Sequence, residues 1–214
     1  MAKPKLTYVD DAKVRAVLEA YACPLPMHVV KARFMGNIAS PVLGASPLRS
    51  IESLWPGGLP TFESTNEANR LLQALMSLWN HLARHQKPTK PFRFANTEKL
   101  ASLGELSGVI VMRCEEVDNF LEGLFDGEEE LEVSEEIADE LDILEEIYRL
   151  LSKVRDVLTN EPDPQTEAGP PDFPRHVRDL SLMAEAQVNN IIQACVAWRR
   201  AAITLQGVKR RTLH

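Results

Sequence analysis

Apolar side chains recur at steps of three and four positions along most of the chain, which is the spacing of one face of an α-helix. Leu71, Leu75, Leu78 and Leu82 show it most clearly, with polar residues between them. The most strand-like run, residues 108–112, continues a helical stripe of this kind. The pattern therefore predicts an all-α fold, a bundle of about seven helices with no significant sheet.

Proline, glycine and serine mark where these helices begin and end. The predicted helices cover residues 10–21, 26–38, 47–55, 67–82, 97–125, 134–158 and 174–206. Ser46, Ser64 and Ser134 occupy positions where a hydroxyl caps free backbone donors. Gly104 and Gly108 lie inside the fifth helix. Each weakens it by about 1 kcal/mol relative to alanine, or marks a break or a close helix contact.

The proline-rich stretch before the last helix predicts the domain organisation. We expect a helical core over residues 1–160, an exposed linker at 161–173 and a long C-terminal helix within 174–214. That helix is strongly apolar on one side. Because an amphipathic helix gains most of its stability from packing, it must cover this side on the core or on a partner.

Charge is distributed unevenly along a chain whose net charge is −7. Sixteen acidic and two basic side chains lie between Arg113 and Arg149, both included, whereas residues 196–214 carry five basic side chains and no acid. The acidic excess argues against a nucleic-acid partner. We expect a protein partner or self-association instead, with the acidic helix meeting a basic partner or the basic end of a second copy.

The three cysteines, Cys23, Cys114 and Cys195, stand far apart, and no CxxC pair occurs. This spacing excludes zinc-ribbon and thioredoxin-type motifs. The N-terminus lacks the apolar core of a signal peptide, and no stretch is long and apolar enough to span a membrane. We therefore expect a cytoplasmic protein that does not interact with membranes.

Two groups of side chains could bind a metal ion. His81 and His85 stand four apart, so both imidazoles lie on one helix face. Carboxylates follow each other at similar steps on two predicted neighbouring helices: Glu115, Asp118, Glu122, Glu136, Asp139 and Asp142. Facing helices of this kind can hold magnesium, which supports an alternative hypothesis of a metal-dependent hydrolase of a phosphate compound. Exposed histidines and a solvated acidic face are the simpler interpretation.

Other catalytic signals are missing from the sequence. It contains no nucleophile elbow, phosphate-binding loop or dinucleotide fingerprint. We therefore expect no cofactor, and a non-enzymatic interaction or regulatory module rather than an enzyme. Its partner surface is predicted on the last helix, around Trp198, Arg199 and Arg200.

The order of several short motifs resembles the YecA/YgfB-like family of bacterial helical proteins. The motifs are FMGNIASP at 34–41, a proline-to-tryptophan helix at 47–55, PTF at 60–62, EANRLL at 67–72 with LWN at 78–80, and VDNFLEGL at 117–124. Residues 26–126 carry the resemblance. It implies an all-helical fold and no catalytic residues. The cysteine and histidine tail with which some family members bind zinc has no counterpart here.

Overall fold

A computed structural model of the chain describes residues 10–96, 103–160 and 172–211, and it confirms the all-α class. These ranges contain seven α-helices, one short 3-10 helix and no strand. In chain order the elements are α1 (Asp11–Ala20), α2 (Met27–Ala39), α3 (Pro47–Glu52), α4 (Thr65–Leu82), the 3-10 helix (Ala83–Gln86), α5 (Leu103–Phe125), α6 (Glu135–Asn160) and α7 (Phe173–Arg211).

Local capping chemistry explains where α3 and α4 begin. The Ser64 hydroxyl accepts a hydrogen bond from the Glu67 backbone N–H at 3.3 Å, so the predicted cap of α4 forms. Ser46 does not cap α3 with its side chain, and that part of the prediction is wrong. Pro47 already removes one free donor at the first helical position.

Helix α5 is continuous from Leu103 to Phe125. Gly108 lies in open space within it, so this glycine marks neither a break nor a close helix contact. Four predicted features lie wholly or mostly outside the described residues. They are the start of the core at 1–9, the first turns of the fifth helix at 97–102, most of the linker at 161–173 and the last three residues of the C-terminal segment.

Helix α2 is the centre of the bundle. Every residue from 29 to 39 except Lys31 is buried, because α3, α4, α5 and α7 all contact this helix. Helices α6 and α7 pack on each other and on α5. Val188, Ile192 and Cys195 on the apolar face of α7 have no exposed surface and belong to the same core as α2 and α5.

Asn37 is a buried polar residue that ties three helices together. Its amide N–H donates to Asp126 Oδ1 at 2.9 Å, and its carbonyl oxygen accepts the indole N–H of Trp79 at 3.1 Å. Buried polar groups are costly unless they are hydrogen-bonded, and here each end of the amide has a partner. The two bonds set the position of the C-terminal end of α5 and of α4 relative to α2.

Residues 87–96, which follow the 3-10 helix, contain no helix or strand. The Asn189 side chain of α7 accepts the Phe92 backbone N–H at 2.8 Å and donates to the Phe92 carbonyl at 3.0 Å. The Glu116 carboxylate of α5 accepts the Ala95 backbone N–H at 2.7 Å. Side chains from two helices thus satisfy backbone groups that a strand would pair with its neighbour.

Candidate interaction surface around Trp198

A groove of about 400 Å³ opens beside α7 near its C-terminal end. Three separate stretches of chain form its walls: residues 41–43, which follow α2, residues 128–132, which follow α5, and Trp198 with Ala202 on α7. We refer to it below as the Trp198 groove. It combines an apolar floor with an acidic rim, and these two features decide what it can bind.

The floor of the Trp198 groove exposes large apolar side chains. Leu43 is 51% exposed and Trp198 is 38% exposed, while Val42 and Leu131 are half-buried beside them. Single exposed apolar residues are ordinary on protein surfaces, but a tryptophan and a leucine that line one depression are typical of contact sites. Tryptophan in particular is enriched among residues that dominate binding energy.

The rim of the groove is acidic. Glu128, Glu130 and Glu132 line it and are exposed. Within the part of the chain that the structure describes, none of the three has an ion-pair partner. Three uncompensated carboxylates beside an apolar floor create a negative potential that favours a cationic ligand.

Asp126 holds the acidic loop in place at the end of α5. The backbone turns there through two residues with positive φ, Asp126 at 49° and Gly127 at 84°. Aspartate is one of the few side chains that tolerate this region. Burial raises the pKa of the Asp126 carboxyl, against the effect of the nearby Arg49 guanidinium. Arg49 also donates to the Asp126 backbone carbonyl at 3.0 Å, which links the loop to α3.

The structure separates the three residues that the sequence predicted as a partner surface. Trp198 lines the groove, whereas Arg199 and Arg200 do not. Arg199 is half-buried, and desolvation lowers the pKa of its guanidinium. Arg200 is exposed. Consecutive helical residues point about 100° apart, so three neighbours on α7 cannot share one narrow depression.

The predicted metal ligands on α5 are engaged with side chains of other helices. Glu115 lies 2.8 Å from the His28 ring nitrogen, and Asp118 accepts the Tyr148 hydroxyl at 3.0 Å. Glu122 pairs with the buried guanidinium of Arg33 on α2. These carboxylates point to three different partners.

The remaining acidic candidates, Glu136, Asp139 and Asp142, are exposed along α6. Over residues 10–96, 103–160 and 172–211, no three histidine, cysteine, aspartate or glutamate side chains are grouped so as to hold a metal ion. The carboxylates of α5 and α6 therefore form no common site there.

His81 and His85 come close together, with ring centroids 6.4 Å apart. The Nδ1 atom of His85 lies 2.9 Å from the Lys90 carbonyl oxygen and 3.0 Å from that of Pro91, so this nitrogen carries the proton and donates. Burial lowers the pKa of the His81 imidazole, and Arg84 and His85 add to the effect. His85 thus connects α4 to the chain that follows the 3-10 helix.

Sequence reasoning missed most of the Trp198 groove. It identified Trp198, but it named neither Leu43 nor the acidic residues at 128–132 as part of a binding surface. The available signal was weak, because an exposed leucine between proline and glycine looks like any loop residue. Only the fold brings residues 41–43, 128–132 and 198–202 to one place.

No protein-family model matches the chain, and no curated protein and no solved structure matches it. The resemblance of residues 26–126 to the YecA/YgfB-like family therefore stays a prediction. Within the described ranges, no helix has both the length and the apolar character that crossing a bilayer requires. The geometry of the groove is the basis for assigning a function.

Proposed function

We propose that this protein is a non-enzymatic, cytoplasmic interaction module whose Trp198 groove binds a basic amphipathic segment of another protein. The observation that carries the proposal is the combination of an exposed apolar floor, Leu43 and Trp198, with three rim glutamates that form no ion pair with any described residue. The reduced, mostly buried thiols are in keeping with a reducing compartment. The motif order at residues 26–126 supports a place in the YecA/YgfB-like family.

The floor supplies most of the binding free energy in this proposal. Burial of apolar surface is worth about 25 cal/mol per Å², and a bound side chain also covers the indole of Trp198. Because the indole lies on a rigid helix that packs against the core, little conformational freedom is lost on binding. A single anchoring tryptophan contributes about 2 kcal/mol or more in many interfaces.

The rim supplies selectivity. Glu128, Glu130 and Glu132 favour a segment with lysine or arginine beside its apolar anchor, and they disfavour an acidic one. Such exposed charges are screened over about 8 Å at physiological ionic strength, so binding should weaken as salt rises. A short helix with an apolar face flanked by basic residues has the required chemistry.

A peptide titration tests this proposal. A labelled basic peptide with leucines at helical spacing is compared by fluorescence anisotropy with a peptide in which glutamate replaces each lysine. The wild-type protein should bind only the basic peptide. Trp198→Ala, and separately the triple exchange of Glu128, Glu130 and Glu132 to glutamine, should each weaken binding about tenfold, which is about 1.4 kcal/mol.

Matched controls separate the groove from general surface chemistry. Ile203→Ala removes an apolar side chain of α7 that is 60% exposed and does not line the groove. Exchange of Glu136, Asp139 and Asp142 to their amides removes three exposed charges of α6. Equal weakening by these controls, or equal binding of both peptides, would contradict the proposal.

The same α6 variant serves the hydrolase hypothesis. Calorimetric titration of the wild-type protein with magnesium and manganese should show no binding if the module is non-enzymatic. Heat of binding that disappears in the α6 amide variant would favour the metal site instead.

A further inference from the structure

Helix α6 carries a second apolar stripe that nothing in the described structure covers. Ile143, Leu150 and Val157 follow each other at intervals of seven residues. They are 50%, 38% and 59% exposed. Large apolar side chains repeated every seven positions supply one of the two seam positions through which helices pair lengthwise.

This stripe runs along the exposed edge of the face with which α6 joins the bundle. Ile137, Leu144, Ile147 and Leu151 are the buried residues that face α5 and α7. Through these residues α6 buries an apolar side against the rest of the chain, as an amphipathic helix must. Packing within one chain therefore does not explain why Ile143, Leu150 and Val157 are also apolar.

Charge along α6 is divided between its two halves. Residues 135–148 carry seven acidic and no basic side chains, whereas residues 149–160 carry Arg149, Lys153 and Arg155 with one acid, Asp156. When two copies of α6 run in opposite directions, the acidic half of each therefore lies beside the mostly basic half of the other. A parallel pair would place the two acidic halves side by side, which costs free energy.

We propose that two copies of this chain associate through α6 in antiparallel fashion, about a two-fold axis at Leu150. This register brings Ile143 of each copy opposite Val157 of the other and places the two Leu150 side chains together at the axis. An interface that uses the same patch on both copies closes on itself and stops at a dimer. Ile143, Leu150 and Val157 do not line the Trp198 groove, so the proposed dimer contact and the groove use different side chains.

A specific ion pair distinguishes this register. Glu146 and Lys153 lie on the same flank of the stripe, and Glu146 of one copy comes opposite Lys153 of the other, twice per dimer. Lys153 forms no ion pair with any other described residue of its own chain. Glu146 pairs with Arg149 one turn away, and a carboxylate can accept from both cations.

Sedimentation velocity of the full chain over a concentration series tests the proposal. The wild-type protein should sediment as a dimer at about 100 µM, a concentration at which even a weak micromolar association is populated. Leu150→Glu places two like charges at the axis and should give a monomer. Ile203→Glu, at an even more exposed apolar position on α7, is the control and should remain dimeric.

A charge exchange makes the test independent of any effect of Leu150→Glu on folding. Lys153→Glu should weaken the dimer at least tenfold, because Glu146 then faces a glutamate. The double variant Glu146→Lys, Lys153→Glu should restore the wild-type association. A wild-type protein that is monomeric throughout, or single and double variants that associate equally, would overturn the proposal.

Discussion

Gly36 of α2 and Gly123 of α5 face each other's helix at a single crossing, where the two backbones touch. A Cβ atom on Gly36 would lie 1.9 Å from the Phe120 carbonyl oxygen, and one on Gly123 would lie 2.0 Å from the Arg33 carbonyl oxygen. Both distances are far inside van der Waals contact, and both involve backbone atoms that cannot rotate away. The absence of two side chains therefore sets the distance between the central helix and its main neighbour.

Gly36→Ala and Gly123→Ala should each destabilise the protein strongly. The added methyl group forces α2 and α5 apart and loosens the packing along the whole crossing, for which about 3 kcal/mol is a reasonable expectation. The free energy of unfolding from urea titrations measures the change. Gly108→Ala is the control within α5, since open space surrounds that position, and it should raise stability by about 0.5–1 kcal/mol. A similar response at all three positions would contradict the close crossing.

These glycines show where sequence reasoning succeeds and where it stops. The helices and most of their ends follow from local chemistry, such as the Ser64 cap and the apolar steps of α4. The sequence drew attention to Gly104 and Gly108, which interrupt a helical stripe. The glycines in close contact are Gly36 and Gly123, because closeness depends on a helix more than 80 residues away in the chain.

In the candidate site, too, local features could be predicted from the sequence and contacts between distant segments could not. Trp198 could be identified because a tryptophan near the end of an amphipathic helix is conspicuous in sequence. The other walls of its groove come from two loops, and the position of the acidic loop depends on the bonds of Asp126 to Asn37 and Arg49. The carboxylates of α5 looked like ligands because they share helical spacing, but spacing on one helix does not specify the partner that each side chain meets.

Glu116 should make stability depend on pH. Its carboxylate is buried beside Arg113, with side-chain exposures of 2% and 5%. Burial raises the pKa of Glu116, although Arg113 acts in the opposite direction. The folded protein then holds this proton more tightly than the unfolded chain. The stabilisation that protonated Glu116 contributes is fully present below the ordinary pKa of a glutamate carboxyl. It is lost as pH rises through the raised pKa of the folded protein.

A comparison of the wild-type protein with Glu116→Gln isolates this contribution, because the other titrating groups are common to both. The stability of the wild type relative to the variant should fall as pH rises from about 4 towards neutral and then level off. Urea unfolding at a series of pH values measures it. A difference that stays constant or grows with pH would show that Arg113 outweighs burial.

The three cysteines should differ in reactivity towards a thiol reagent. Burial raises the pKa of Cys195 to about 12, and burial also raises the pKa of Cys114. Because the thiolate is the reactive form, both should remain unmodified in the folded protein at neutral pH. Cys23 is half-buried and should react slowly. Labelling with an aromatic disulfide should detect at most one thiol in native protein and three in denaturant. Loss of the native signal in Cys23→Ser would assign it.

Asn189 should be worth more to the fold than its neighbour Asn190, although both are asparagines on α7. Asn189 satisfies both backbone groups of Phe92, a residue that is only 3% exposed. Asn190 makes two longer bonds, at 3.3 and 3.4 Å, to side chains of Glu140 and Gln187. Each buried backbone group left without a partner costs about 1–3 kcal/mol, so Asn189→Ala should lower the free energy of unfolding by about 2–4 kcal/mol.

Asn190→Ala is the matched control, and its effect should stay within about 0.5 kcal/mol, as for most surface substitutions. Asn189→Asp refines the test, because a carboxylate still accepts the Phe92 N–H but no longer donates to the Phe92 carbonyl. The Phe92 amide should therefore remain protected from hydrogen exchange in the aspartate variant and lose its protection in the alanine variant. The two variants are compared at denaturant concentrations that give them the same free energy of unfolding. If both variants exchange at the wild-type rate, residues 91–96 are held by the packing of Phe92 and Phe94, and not by the side chain of Asn189.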